Sequence, residues 1–258
     1  MATETPVTKQ PSRLRSWGKA AFDFACIILI VTAAKAAIAE PFYVPSGSME
    51  PTLLIGDELL ATKFPYGYSA ASLPAFVVLP DSGRVFGALP KRGDVVVFRW
   101  PGDRSQVWVK RVIGLPGERI SLDRGVVSIN GVAVKIEADG SGQAENEDGS
   151  QTTARRFIET LPGGRQHVIF KLSSRDPLDN VPETVIPEGH VFVMGDNRDN
   201  SADSRVPLAA GGVGMLPIAN LIGRVDGIVA SWDLGMKNQP LWTWPKGLRL
   251  SRFFSGVI

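Results

Sequence analysis

Apolar positions follow two patterns along this chain. Between Ala20 and Ala39 they run almost unbroken, interrupted only by Asp23 and Lys35 near the ends. About 20 residues at 1.5 Å per residue cover roughly 30 Å, the thickness of a bilayer core, so the stretch predicts one transmembrane helix over 20–39. After Glu40 the apolar runs are short, rich in Val and Ile, and bounded by Gly, Pro, Asn and Asp. They are Asp94–Phe98, Val107–Ile113, Val126–Ile129, Val132–Ile136, His167–Leu172 and Val191–Met194. This punctuation predicts β-strands. Asn130-Gly131 between two of them predicts a tight hairpin, because both central residues of such a turn take positive φ. The polar, acidic stretch Ala138–Thr153 reads as a mobile loop or a wide hairpin end. Prolines and glycines spread through the chain argue against a helical bundle.

Charge changes the picture by its position. The net charge of +2 provides no basic field for nucleic acid. Lys9, Arg13, Arg15 and Lys19, against a single Glu4, nevertheless flank the long apolar stretch on one side. The positive-inside rule then puts residues 1–19 in the cytoplasm and everything after Glu40 on the outer side of the membrane. Ala37-Ile38-Ala39 also reads as a small-x-small cleavage site, which would make the stretch a removable signal. Its length, Lys35 and the nearby Pro41 favour a retained anchor. The expected layout is a basic N-terminus (1–19), the membrane helix (20–39) and an extracytoplasmic region (40–258). That region divides into a core (40–125 and 185–235), an inserted β subdomain (126–184) and an aromatic, basic tail (236–258).

One cysteine cannot close an intrachain disulfide, and with two histidines it cannot supply a Cys/His zinc site. Cys26 lies inside the proposed membrane helix. The scarcity of histidine also argues against a Ser-His-Asp mechanism, so candidate nucleophiles need another base. Ser46-Gly47-Ser48 sits between Pro45 and Pro51, which disfavour helix; such a turn exposes a hydroxyl and aims N–H groups at one point, or is simply a turn. Alternation along Val107–Ile113 puts Lys110 on one face with Trp108 and Val112. A lysine on an apolar face loses hydration, which lowers its pKa; the alternative is a lysine snorkelling from a strand edge. The run Gly195–Arg205 could be a chain of Asx turns and surface ion pairs. It fails as a calcium loop, because Arg198 stands where a ligand belongs and no glycine follows.

Taken together, PSGSMEPTL (45–53), KRGDVVVF (91–98), VKRVIGLPGE (109–118) and GDNRDNSADSR (195–205), behind an apolar anchor, closely resemble the bacterial type I signal peptidases. These are membrane-bound Ser/Lys serine endopeptidases of protein export. The resemblance implies a mainly β fold, a coiled antiparallel β-sheet shared with self-cleaving SOS repressors, here with one N-terminal transmembrane helix where the family often has two. It makes Ser48 the nucleophile and Lys110 the general base, with the Ser46 hydroxyl and the Ser48 N–H as the oxyanion hole. By the same carry-over Ser201 orients the lysine, Asp203 and Arg205 form a structural ion pair, and Gly195 and Asp196 support the site. Met49 is expected to pack beneath the nucleophile, and His167 and His190 to be ordinary structural residues. Glu118 stands where the family frequently has aspartate. The implied partners are the lipid bilayer and signal-peptide-bearing preproteins, cut after small-x-small sites without metal or cofactor. The alternatives are a specialised Ser/Lys processing peptidase of the same fold, or a non-catalytic module that only binds preproteins. A repressor would need a DNA-binding domain where this chain has its anchor. The tail, with Trp242, Trp244, Arg249, Arg252 and Phe254, and the stretch Phe64–Pro80 are each either at the membrane interface or packed on the domain.

Overall fold

The computed structural model describes residues 13–72, 84–146 and 149–257. Residues 1–12 of the expected cytoplasmic segment and 73–80 of the Phe64–Pro80 stretch lie outside the described residues. The chain begins with a helix, α1 (Arg13–Ala37), on which Trp17, Phe22, Phe24, Ile27, Leu29 and Ile30 are all exposed. Among the described residues no helix is long and apolar enough to cross a membrane. The expected span includes residues 33–37, whose side chains lie outside the described set. The helix also stops earlier than expected: Ala39, predicted as its last residue, is already in a strand. The cause is local, since Pro41 removes a backbone donor and biases Glu40 to extended backbone.

Fifteen strands follow: β1 (Ala39–Tyr43), β2 (Asp57–Thr62), β3 (Val95–Arg99), β4 (Val107–Gly114), β5 (Arg119–Asp123), β6 (Val126–Ile129), β7 (Val132–Ala133), β8 (Lys135–Glu145), β9 (Gln151–Thr160), β10 (Gln166–Lys171), β11 (Val181–Val185), β12 (His190–Met194), β13 (Leu216–Pro217), β14 (Leu221–Ser231) and β15 (Ser255–Gly256). Among the described residues these fifteen strands pair antiparallel throughout, and the architecture is mainly β, with open sheets and no closed barrel. An eight-stranded sheet runs in the order β1-β2-β14-β3-β4-β12-β13, with β15 beside β14. Two smaller sheets, β10-β9-β8 and β11-β5-β6-β7, take strands from the expected inserted subdomain, and β5 and part of β11 from outside it. The Asn130-Gly131 hairpin forms as expected, with φ of 53° and 80°. The stretch 138–153 resolves in favour of a hairpin: most of it belongs to the paired β8 and β9.

The continuous run Val95-Val96-Val97-Phe98 is explained by packing on both faces of β3. Val95 and Val97 join a cluster with Met49, Leu53 and Leu59, whereas Val96 and Phe98 join another with Tyr66, Val112 and Leu216. β4 pairs directly with this doubly covered strand, Val96 opposite Lys110 and Val95 opposite Arg111. Lys110 therefore rides on a buried, rigid element.

The tail returns to the sheet. The Arg249 guanidinium donates to the Ile55 carbonyl at 2.7 Å, and Arg252 donates to the Thr52 carbonyl at 2.9 Å and to both carboxylate oxygens of Asp57 at 3.0 and 2.6 Å. Leu241, Trp242, Leu250 and Phe254 stay exposed, so one part of the tail packs while another faces outward. Asp57 has no solvent access, and losing its arginine would leave a buried carboxylate without its countercharge. Arg252→Ala should lower unfolding stability by about 3 kcal/mol in urea titration, with Arg252→Lys recovering part of the loss.

Candidate active site

Ser46 lies in extended backbone (φ −134°, ψ 154°) at the start of the one-turn 3-10 helix Gly47–Met49. The turn is rooted by Met49, which is fully buried among Leu53, Leu59, Val95, Val97 and Ile228, so Ser48 beside it is held at the surface of a groove. The first N–H groups of such a turn have no partner within it. Ser46 Oγ lies 3.4 Å from Ser48 Oγ.

Lys110 reaches the same point from β4. Its Nζ donates to Ser48 Oγ at 2.8 Å and to the carbonyl of Val109 at 3.0 Å. The predicted alternation holds, with Nζ 5.7 Å from the ring centre of Trp108. Trp108 is fixed by a parallel stack on Trp100, centroids 5.1 Å apart. Lys110 is only 4% exposed, so the snorkelling alternative is ruled out by burial. Burial lowers the amine pKa from 10.5 to about 8; Asp203 and Asp196 oppose that fall, and Arg205 assists it. Charging the buried amine at neutral pH thus costs roughly 3 kcal/mol more than in water.

The segment Gly195–Arg205 closes around the turn. The Asn197 N–H donates to the Ser48 carbonyl at 3.1 Å, and its side-chain amide donates to the Gly47 carbonyl at 3.1 Å. Gly195 is required by contact: a Cβ there would lie 2.3 Å from Ser201 Oγ and 2.4 Å from the Ser48 carbonyl oxygen. Asp203 accepts from the Gly195 N–H at 3.0 Å and pairs with Arg205 through two hydrogen bonds of 2.9 and 2.8 Å. Asp196 faces Arg111, with hydrogen bonds of 2.9 and 2.8 Å, and accepts from the Thr52 hydroxyl at 2.5 Å. Burial pushes both aspartates upward, but their arginines outweigh it and hold each carboxyl below its ordinary pKa. Ser201 lines the groove with Ser48 and Lys110, yet its buried hydroxyl makes no hydrogen bond, and the expected bond to Lys110 is not formed.

Arg111, Thr52 and Asn197 were not singled out by the sequence reading. Arg111 and Thr52 sit inside two of the quoted motifs, next to or near residues that were, and Asn197 lies inside a third. A further buried group was also missed: Arg198 pairs with Glu159 at 2.9 and 2.6 Å, and His167 Nε2 lies 3.2 Å from the same carboxylate. His190 is at the edge, its Nδ1 3.0 Å from the Glu188 carbonyl.

Above Ser48 and Lys110 runs a groove of about 820 Å³, walled by Phe42 and Tyr43 of β1, Leu59, Val97, Trp108 and Val109. An extended peptide backbone fits such a groove beside the edge strand β1.

Residues 14–232 match the family model described as signal peptidase, peptidase S26. The chain is 42% identical to the signal peptidase I of Rickettsia typhi over 255 residues, covering 92% of both chains. It is 38% identical to that of Rickettsia canadensis over 273 residues, covering 100% of this chain and 98% of the other. Among solved structures, a signal peptidase I from Enterococcus faecalis matches with 25% identity and a TM-score of 0.31, over 53% of this chain and 96% of the other.

One buried acid lies directly after the turn. Glu50, 2% exposed, accepts the Glu145 N–H at 2.9 Å, and burial raises its pKa from 4.5 to about 7. A carboxyl raised on folding stabilises the fold below pH 4.5 and loses that contribution as pH rises through about 7. Glu50→Gln should therefore match the parent in thermal unfolding at pH 5 and exceed it at pH 8, by roughly 2–3 kcal/mol.

Proposed function

The chain belongs to the S26 signal peptidases, and from that premise we propose that it removes N-terminal signal peptides from exported preproteins with a Ser48/Lys110 dyad. The observation that carries this reading is the 2.8 Å approach of a buried lysine with a lowered pKa to a serine hydroxyl on a groove wall. Neutral Lys110 takes the Ser48 proton as Oγ attacks the scissile carbonyl carbon, then returns it to the leaving amine. The Ser48 N–H and the Ser46 hydroxyl, 3.4 Å from the attacking oxygen, donate to the developing oxyanion. Water activated by Lys110 then releases the acyl-enzyme. Ser201 is the proposed orienting group for Lys110 by its place in the motif and on the same groove, although its hydroxyl makes no bond to the amine in this structure. Asp203 with Arg205, Asp196 and Gly195 are proposed as the supporting residues. By the family membership, substrates are cut after small-x-small sites, with the scissile backbone lying extended along the groove.

We further propose that α1 anchors the chain in the inner membrane, N-terminus cytoplasmic and peptidase region periplasmic. Supporting this is a helix whose described apolar side chains, Phe22, Phe24, Ile27, Leu29 and Ile30 among them, are exposed, as a lipid-covered helix presents them. Ser48 lies 11 residues beyond the end of α1, which keeps the dyad on the membrane-proximal side of the chain, where a membrane-held signal peptide presents its cleavage site.

Ser48→Ala and Lys110→Ala should each abolish cleavage of an Ala-x-Ala preprotein while leaving the circular dichroism spectrum unchanged. Lys110→Arg should fail as well, since arginine stays protonated. Residual cutting in any of the three, located by N-terminal sequencing, would refute the dyad. The pH profile of kcat/KM should rise about tenfold per unit below pH 8 and level off above it, because only the neutral amine is a base.

A further inference from the structure

One part of the groove wall comes from outside the sheet that carries Ser48 and Lys110. Among the described residues, Leu178 is the one member of the expected inserted subdomain (126–184) that lines the groove, half-buried on the 3-10 turn Pro177–Asp179. Asp176 caps this turn, its carboxylate accepting the Leu178 N–H at 2.8 Å. The turn is also stapled to the segment 195–205 that closes around Ser48. Lys171, 7% exposed, donates from the same Nζ to Asp179 at 2.5 Å and to Asp199. The second carboxylate oxygen of Asp199 accepts the N–H groups of Leu172 and Ser173 at 2.8 and 2.7 Å. This buried triad has two effects: it fixes Leu178 against the groove, and it engages the Asp199 carboxylate, which also lines the groove, so that the acid offers no free charge there.

The order of the sheet decides which part of a substrate meets Leu178. β1 lies at one edge, β4 with Lys110 is in the interior, and β12, which leads into 195–205, lies beyond β4. β1 follows directly on α1, the proposed anchor. A preprotein held in the same membrane therefore passes Phe42 and Tyr43 first, Ser48 next, and Asn200, Ala202 and Leu178 last. What lies past the attacked carbonyl is the first stretch of the mature protein.

We infer that Leu178 is a specificity residue for the side chains that follow the cut bond, an apolar contact that favours uncharged residues there and disfavours charged ones. The inference rests on the proposed peptidase function and on the proposed membrane side of β1. A charged side chain laid against leucine loses hydration and gains no partner in return. Asp199, already held by Lys171 and two backbone N–H groups, does not supply one. Side chains before the cut face β1 and β4 instead. Selection on the two sides of the bond is thus carried by separate parts of the fold: the main sheet reads the signal peptide, and a turn of the inserted subdomain reads the protein being released.

The test uses full-length protein in non-ionic detergent micelles and measures kcat/KM on Ala-x-Ala preproteins that carry Leu, Lys or Glu at successive positions after the cut. A second set is varied at the x position before it, and each cut is located by N-terminal sequencing. At one position after the cut the parent should prefer Leu to both Lys and Glu by about fivefold. At that position Leu178→Glu should shift the Lys-to-Glu ratio about fivefold toward Lys, and Leu178→Lys should shift it by a similar factor toward Glu. Substrates varied before the cut should keep their parental ratios. Ratios within one variant cancel any general loss of activity, and a merely structural role would not invert them with the sign of the charge at position 178. A parent without the Leu preference, ratios that stay parental at every position after the cut, or an inversion confined to the position before it each overturn the inference. Should the charged variants fail to fold, Leu178→Ala reports instead: the Leu preference should shrink toward parity, and an unchanged preference overturns the inference. A parent that cuts none of the preproteins is a separate result, which removes the peptidase reading and the inference with it.

Discussion

The site depends on burying an amine among carboxylates without charging it. Asp196 and Asp203 both act to keep Lys110 protonated, and at an effective dielectric near 20 a bare carboxylate 4 Å away is worth about 4 kcal/mol. Each of these acids is met by its own guanidinium, Asp196 by Arg111 and Asp203 by Arg205, so what faces the lysine is closer to a pair of dipoles than to two negative charges. Glu159 is met in the same way by Arg198. Desolvation then prevails and leaves a base usable near neutral pH. Buried pairs of this kind contribute little net stability, while losing one member exposes the other's full desolvation cost. The arrangement therefore serves the electrostatics of the amine more than the cohesion of the fold.

The two members of the proposed dyad are positioned by different means. Lys110 sits on β4, which pairs with β3 along Val107–Arg111 and with β12 from Arg111 onward. Ser48 sits on a single turn, which would be loose on its own. It is fixed from below by Met49, from one side by Asn197, and at its downstream end by Thr52, whose hydroxyl is held by Asp196 and whose carbonyl is held by Arg252. Ser48 is thus tied to segments that join it only in three dimensions.

That explains what could be read from the residues alone. Short Val- and Ile-rich runs marked β3, β4, β6, β10 and β12, and Asn130-Gly131 marked its hairpin, because these signals are local. Alternation placed Lys110 with Trp108, and the combination of motifs singled out Ser48. The pairing of Arg111 with Asp196 spans 85 residues and that of Arg252 with Asp57 spans 195, and no periodicity encodes such meetings. The turn Arg124-Gly125 escaped notice for a different reason: arginine at φ 48° carries no turn signal. The end of α1 was placed two residues late, since hydropathy continues through Ala39 while strand pairing has already begun.

The stacked tryptophans have a consequence for observing the enzyme at work. Trp100 and Trp108 lie almost parallel, their planes 6° apart, and one of the two rings forms a wall of the groove. Two indoles held this close and parallel couple their electronic transitions, and the coupled pair ends where a bound peptide would sit. Ligand entry changes the polarity around one ring alone, so the protein carries its own optical probe of groove occupancy, readable in near-ultraviolet dichroism and emission without any attached dye.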